Sequence, residues 1–152
     1  MSTPPTPPAN TFMFRLAMKA QVFLLRRNWI GPMSKVLMVI TTTGRKSGKH
    51  FSTPIGYQRD GDSVLAFNLG GGSNWFKNVL QNPEVTLVIQ GKAQRMRGAA
   101  VSDPAEITRV IDLYCQAQPD VVKRFWGFDP AVGQAERLKG AEHLRFVRFT
   151  PV

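Results

Sequence analysis

The sequence predicts an α+β fold, a small antiparallel β-barrel of six strands decorated by about four helices. Three observations carry this expectation. Strand-like segments follow one another directly across short glycine turns, as successive hairpins do. No β-α-β alternation and no internal repeat is present, which argues against a doubly wound parallel sheet. The helix-forming stretches after the first one are short, and most of them fall after Asp103, between the fifth and the last strand.

Taken in order, MSTPPTPPAN at 1–10 reads as a disordered Pro-rich leader, and residues 11–152 read as one domain. Thr11 to Arg27 has neither proline nor glycine, so it is expected to be a basic amphipathic helix. Trp29, Gly31 and Pro32 end it. Lys35 to Thr43, β-branched and apolar, is expected to be a buried strand. Phe51 to Arg59 reads as the second strand, and Pro54 marks it as an edge or a bulge, because proline cannot donate to a ladder. Arg59 to Asp62 turns into the third strand, SVLAFNLGG. Ser73 or Asn74 then caps a short helix that Asn82 and Pro83 stop. Glu84 to Gln90 and Ala93 to Val101 form a hairpin about Gly91 and Lys92. Ser102 or Asp103, with Pro104 after it, starts a helix to Gln116. Pro119 to Trp126 and Pro130 to Lys139 read as two more helices, and His143 to Phe149 as the closing strand.

Length and composition bound the function. A chain of 152 residues with 43% hydrophobic residues can build one substantial core. No apolar run approaches the ~20 residues of a membrane span, and no signal sequence is evident, so a cytoplasmic location is expected. One cysteine, Cys115, cannot form an internal disulfide. No CxxC or His/Cys cluster offers a metal site. Lys and Arg number 20 against 10 Asp and Glu, a formal net charge of +10. That imbalance favours nucleic acid, an acidic membrane surface or a multiply charged small molecule. The bases are dispersed and lack an aromatic stacking platform, so nucleic acid is not expected. The basic segment 11–27 is compatible with peripheral contact at the inner face of the plasma membrane, although covering a core or a second subunit is the more common role of such a helix. His50 and His143 have no nucleophile motif beside them.

Two segments could carry chemistry. In GRKSGK, residues 44–49, glycines permit unusual φ, backbone N–H groups could converge, and Arg45, Lys46, Ser47 and Lys49 could surround phosphate or carboxylate oxygens. The spacing is not that of a nucleotide phosphate loop, and a solvated basic turn is the competing interpretation. In GGGSNWFKN, residues 70–78, three glycines allow close approach and a helix start offers donors to an anion or a polarised carbonyl. Trp75 could lie against a planar ring, or simply anchor its helix in the core.

Taken together, TTTGRKSGKHFSTPIGYQRDGD, the glycine-rich segment and NWFKNVLQNPEVTLVIQG resemble the deazaflavin-dependent nitroreductase family, over roughly Lys35 to Val101. The most specific parts are TTTGRKSG and the order W-x-x-N-x-x-x-N-P at Trp75, Asn78, Asn82 and Pro83. The resemblance implies a split β-barrel related to flavin-binding oxidases, often paired as a homodimer. It implies coenzyme F420, a deazaflavin with a phosphate and an oligoglutamate tail, as cofactor, with FMN the rival on the same barrel. By this resemblance Arg45, Lys46, Ser47, Gly48, Lys49 and Pro54, together with Gly70, Gly71, Gly72, Asn74, Trp75 and Asn78, bind the cofactor. Ser73 and Tyr57 are the expected proton donor or substrate contacts. The implied reaction is hydride transfer from reduced deazaflavin to a conjugated enone, a quinone or a nitroaromatic. The alternative from another class is a non-enzymatic basic module that binds a membrane or nucleic acid. Gly56 stands before Tyr57 where nitro-reducing relatives can show paired aromatics, and the region after Asp103 is longer than in the shortest relatives.

Overall fold

The computed structural model describes residues 36–70 and 72–152. The expected leader, the helix over 11–27 and Gly71 lie outside the described residues. Seven strands form one antiparallel sheet in the order β2-β1-β5-β6-β7-β4-β3. They are β1 Leu37–Thr43, β2 His50–Gly56, β3 Gln58–Asp60, β4 Ser63–Leu69, β5 Glu84–Ile89, β6 Lys92–Ala100 and β7 Leu144–Pro151. The expected six strands become seven because Phe51 to Arg59 is not continuous. At Tyr57 the backbone turns out of the ladder: its N–H donates to the Val36 carbonyl at 3.1 Å, and its carbonyl accepts from Gln118 Nε2 at 2.9 Å. The chain therefore leaves one edge of the sheet as β2 and pairs at the other edge as β3. The sheet is not closed, since among the described residues β2 and β3 do not pair with each other. Pro54 lies on the edge strand β2, where its missing donor costs no ladder bond.

The turns obey their residues. The β5–β6 turn lies one residue earlier than expected, at Gln90 and Gly91 with Lys92 already in β6, and both turn residues take positive φ, 50° and 79°, as a two-residue hairpin requires. Gly61 does the same at φ 62° between β3 and β4.

Alternation along the strands separates two main cores, with Val39 and Val88 forming a third, small cluster. The inner face gathers Met38 and Ile40 from β1, Val64 and Ala66 from β4, Leu87 from β5, Met96 from β6 and Phe149 from β7. Helix α1, Asn74–Gln81, adds Trp75, Phe76 and Val79 to this inner core. On the outer face of β4 and β7, Leu65, Leu144 and Phe146 meet Val110, Ile111 and Tyr114 of α2, Pro104–Ala117. Asp103 caps α2 by accepting from the Glu106 N–H, with Pro104 at the first turn, as expected. Next come α3, Pro119–Val121, which runs on into a wider turn over Val122–Trp126, and α4, Gln134–Gly140. The helix expected from Pro130 begins later because Asp129 first folds Ala131 into a turn, accepting its N–H at 2.9 Å. Among the described residues no helix is long and apolar enough to cross a membrane, and no His/Cys/Asp/Glu group could hold a metal.

Candidate functional site

Strand β4 runs parallel to β1 in the sheet order, so the segment after Leu69 and the turn after Thr43 emerge at the same end. Helix α1 crosses that end. Its body is fastened to β1 by two asparagines four residues apart, which a helix places on one face. Asn78 donates through Nδ2 to Thr42 Oγ1 at 3.1 Å, with both residues buried. Asn82 donates to the Thr43 carbonyl at 3.3 Å. The recognised order of Trp75, Asn78 and Asn82 is thus a device for seating a helix on a strand.

The same Asn78 reaches the basic turn. Its Oδ1 accepts from the Arg45 backbone N–H at 3.3 Å and from Arg45 Nη1 at 2.8 Å. Arg45 Nη2 also donates to Asn74 Oδ1, at 3.4 Å. A guanidinium held at two nitrogens and at its own backbone is preorganised, so a ligand that meets it orders little more. Lys46, Ser47, Gly48 and Lys49 are exposed beside it.

The turn does not present a full ring of free N–H groups. Gly44 donates to the Lys49 carbonyl at 2.7 Å and Gly48 to the Gly44 carbonyl at 3.0 Å. Lys49 N–H is taken by Ser47 Oγ at 3.2 Å. The anion-binding capacity of the turn therefore rests on its side chains and on the N–H groups of Lys46 and Ser47. Gly48 has φ 71°, a genuine glycine position. Gly44 is there for a different reason: a Cβ would come within 2.7 Å of the Phe51 ring.

At the other end of α1, Gly70 leaves β4 with φ 81° and its N–H on the His143 carbonyl at 3.0 Å. Gly72 is exposed and has no atom near its missing Cβ. Ser73 occupies the N-cap position but leaves the first helical turn uncapped. Its hydroxyl turns back and donates to Asn68 Oδ1 at 2.6 Å. Asn68 is 3% exposed, and its Nδ2 has no partner among the described residues. Sequence reasoning missed Asn68, whose only signal was an amide at an inward position of a strand that is otherwise apolar inside.

Two expected contacts are relocated. Trp75 is 9% exposed and packs edge-on against Phe76 within the inner core, so it anchors α1 and offers little ring to a ligand. Tyr57 is 5% exposed and also belongs to that core. Burial pushes its phenol above the usual value, with Arg59 pulling back the other way. It sits beside Val36 at the start of β1, at the opposite end of the sheet from the basic turn. Pro54 is half-buried opposite Val39, in mid-strand. The structure thus brings Arg45, Asn74, Asn78 and Ser73 together around α1, and separates Tyr57 from them.

A cavity of about 250 Å³ opens near the far mouth, lined by Arg59, Leu87, Ile89, Lys92, Ala93 and Gln94. Leu87 in its wall pairs with Ile40, and Thr43 lies three residues further along β1, about 10 Å at the strand rise. It does not join the basic turn.

The sequence pattern of the family described as F420H(2)-dependent quinone reductase matches residues 20–128. Among solved structures, one described as an F420-H2 dependent reductase (FDR-A) aligns over 76% of this chain and 94% of its own, with 20% identity and a TM-score of 0.55. Another, described as a domain-swapped dimer, covers 92% of this chain and 98% of its own at 18% identity and a TM-score of 0.57. An FAD-binding protein from Mesorhizobium loti covers 77% and 81% at 12% identity, with a TM-score of 0.53. At these identities the structural likeness establishes a shared fold.

Proposed function

This chain belongs to the F420H(2)-dependent quinone reductase family, an oxidoreductase family that uses coenzyme F420, and we propose that it reduces electron-poor acceptors, quinones first and conjugated enones and nitroaromatics after them. The observation that carries this reading to individual residues is the clamp on Arg45: one fixed guanidinium at the start of α1, with Lys46, Ser47 and Lys49 exposed beside it. A phosphate followed by several glutamates is a long polyanion, and this row of cations suits it in charge and in length.

When bound, the deazaflavin supplies the hydride. The chain supplies the rest. Arg45 takes the phosphate or first carboxylate as a preorganised fork, and Lys46 and Lys49 meet the tail as flexible point charges. The uncapped first turn of α1, at Asn74 to Phe76, directs its N–H groups at negative charge that develops on an oxygen nearby. Ser73 is less suited to give up a proton than to receive one, because its hydroxyl hydrogen is committed to Asn68. Tyr57, buried and held protonated, is left to the core, so solvent is the proton source in this scheme. Asn78 positions Arg45 without touching the ligand. Membership in an enzyme family sets aside the non-enzymatic module. The likeness to a domain-swapped dimer supports assembly as a homodimer.

The test is parallel titration of the purified protein with F420 and FMN, followed by a panel of quinones, enones and nitroaromatics with reduced F420. Preferred binding of F420 with quinone turnover is expected; tighter FMN binding would overturn the reading. Lys46→Ala should weaken F420 by about two- to fivefold, as an exposed ion pair does, and less as salt rises. An unchanged dissociation constant at low salt would remove Lys46 from the site.

A further inference from the structure

A buried polar group without a partner is rare in a folded protein and calls for an explanation. Among the described residues three side-chain donors are in that position: Asn68 Nδ2, Trp126 Nε1 and Arg148 Nη2. The last two belong to the outer helical layer and to an ion cluster around Asp60, away from α1. Asn68 stands apart from both. It closes β4 on the inner side, directly beneath the N-cap of α1, because its Oδ1 is the acceptor for Ser73 at 2.6 Å. One side of its amide is therefore pinned to the helix start, and the other carries two hydrogens with no acceptor.

Resting on the proposed function above, we propose that Asn68 is a binding residue of the site: its Nδ2 donates to an oxygen of the bound ring system that is negative or becomes so during reduction. The chemistry of the surroundings selects that ligand. Asn68 Nδ2 and the first-turn N–H groups of α1 are neutral donors, and the N-terminus of a helix adds partial positive charge. Such a set suits a carbonyl or phenolate oxygen on an apolar ring. The exposed cations of the turn suit the acidic tail instead, so the two halves of the site divide one amphipathic ligand between them. Ser73 then faces the ligand with its lone pairs, as an acceptor for a ring N–H or O–H. The oxygen belongs either to the deazaflavin or to the electron acceptor, which share this chemistry.

Two variants test the assignment. Asn68→Leu removes the orphan donor and keeps the approximate size; Asn68→Asp keeps the acceptor for Ser73 and, ionised, replaces the donor with a charge that repels an anionic oxygen. Three quantities are read: the thermal midpoint of the ligand-free protein, the dissociation constant for F420, and KM for a quinone such as menadione. An unpartnered donor destabilises the ligand-free fold, and half-buried Ser73 can turn its hydroxyl to water once its acceptor is gone, so the midpoint of Asn68→Leu should be unchanged or raised. Binding should weaken by about 10- to 100-fold, the usual loss for a hydrogen bond to a charged oxygen. A rise in the F420 dissociation constant assigns the oxygen to the carrier; a rise in KM alone assigns it to the acceptor. Should Asn68→Leu fail to fold, Asn68→Asp gives the same two binding readings with Ser73 still held. Unaltered F420 affinity and KM in the variants that fold would overturn the assignment while leaving the proposed function intact. A wild-type protein that binds no F420 would overturn both.

Discussion

Replacing Asn78 by alanine tests the joint on which the site depends. The side chain is 3% exposed and makes three hydrogen bonds, two from Arg45 and one to Thr42. Their costs differ. Thr42 is 1% exposed, so water cannot replace the lost donor, and stranding a buried hydroxyl costs about 1–3 kcal/mol. Arg45 is half-buried and recovers part of its hydration, which limits its share to about 1 kcal/mol. With the small cavity left between α1 and β1, the sum is about 2–4 kcal/mol. For a domain of this size each kcal/mol moves the midpoint by about 2–4 °C, so a fall of roughly 5–15 °C is expected.

Urea and thermal unfolding measure the loss, and a double-mutant cycle with Thr42→Val locates it. Thr42→Val removes the stranded hydroxyl, so in the Asn78→Ala background it should restore stability, whereas in the wild type it should cost stability. Asn78→Asp retains an acceptor for Arg45 and should keep F420 affinity, while Asn78→Ala should lower it by releasing the guanidinium. Additive stabilities in the cycle, or equal F420 affinity in the Ala and Asp variants, would refute the claim that Asn78 joins helix, strand and turn.

Two further outcomes follow from particular contacts. Asp60 accepts from Arg109 at 2.6 Å and Arg148 at 2.8 Å, which hold its carboxyl down at about 2 against an ordinary value near 3.8. A folded value below the unfolded one stabilises above about pH 5 and is lost as pH falls from about 4 toward 2. The contribution is at most about 2 kcal/mol and less after solvent screening at the half-exposed Arg109. Asp60→Asn should flatten that limb of the stability profile, measured by urea unfolding between pH 6 and 2.5; an unchanged slope would exclude the Asp60 cluster as its source. Gly98 faces α1 so closely that a Cβ would lie 2.6 Å from Val79 and 2.9 Å from the Phe149 ring, both fully buried. Gly98→Ala should cost about 1–3 kcal/mol and, by lifting α1, weaken F420 binding as well. Lost stability with intact affinity would show that the helix and the site are uncoupled.

How much of this was legible beforehand depends on the range of the interaction that fixed it. The turn at Gly61 and the helix start at Asp103 and Pro104 are set by residues within a few positions of one another and fall where local chemistry put them, the cap at Asp103 over Ser102, while the β5–β6 turn moved by one residue. The break at Tyr57 was not legible, because it depends on Val36 and Gln118, respectively 21 and 61 residues away. The same distinction divides the site. The charges of the turn could be read directly, but the partner that fixes Arg45 lies 33 residues on, and nothing in GRKSGK announces it. In the structure the motif has two layers: exposed cations in the turn, and amides at Asn78, which is buried, and Asn82, which is half-buried, that join α1 to β1. That division predicts opposite mutational behaviour. Changes at Lys46 or Lys49 should alter affinity with stability intact, changes at Asn78 should alter both, and Asn68→Leu should lose affinity with stability unchanged or raised, since among the described residues Asn68 has the one buried amide left without a partner for its donor.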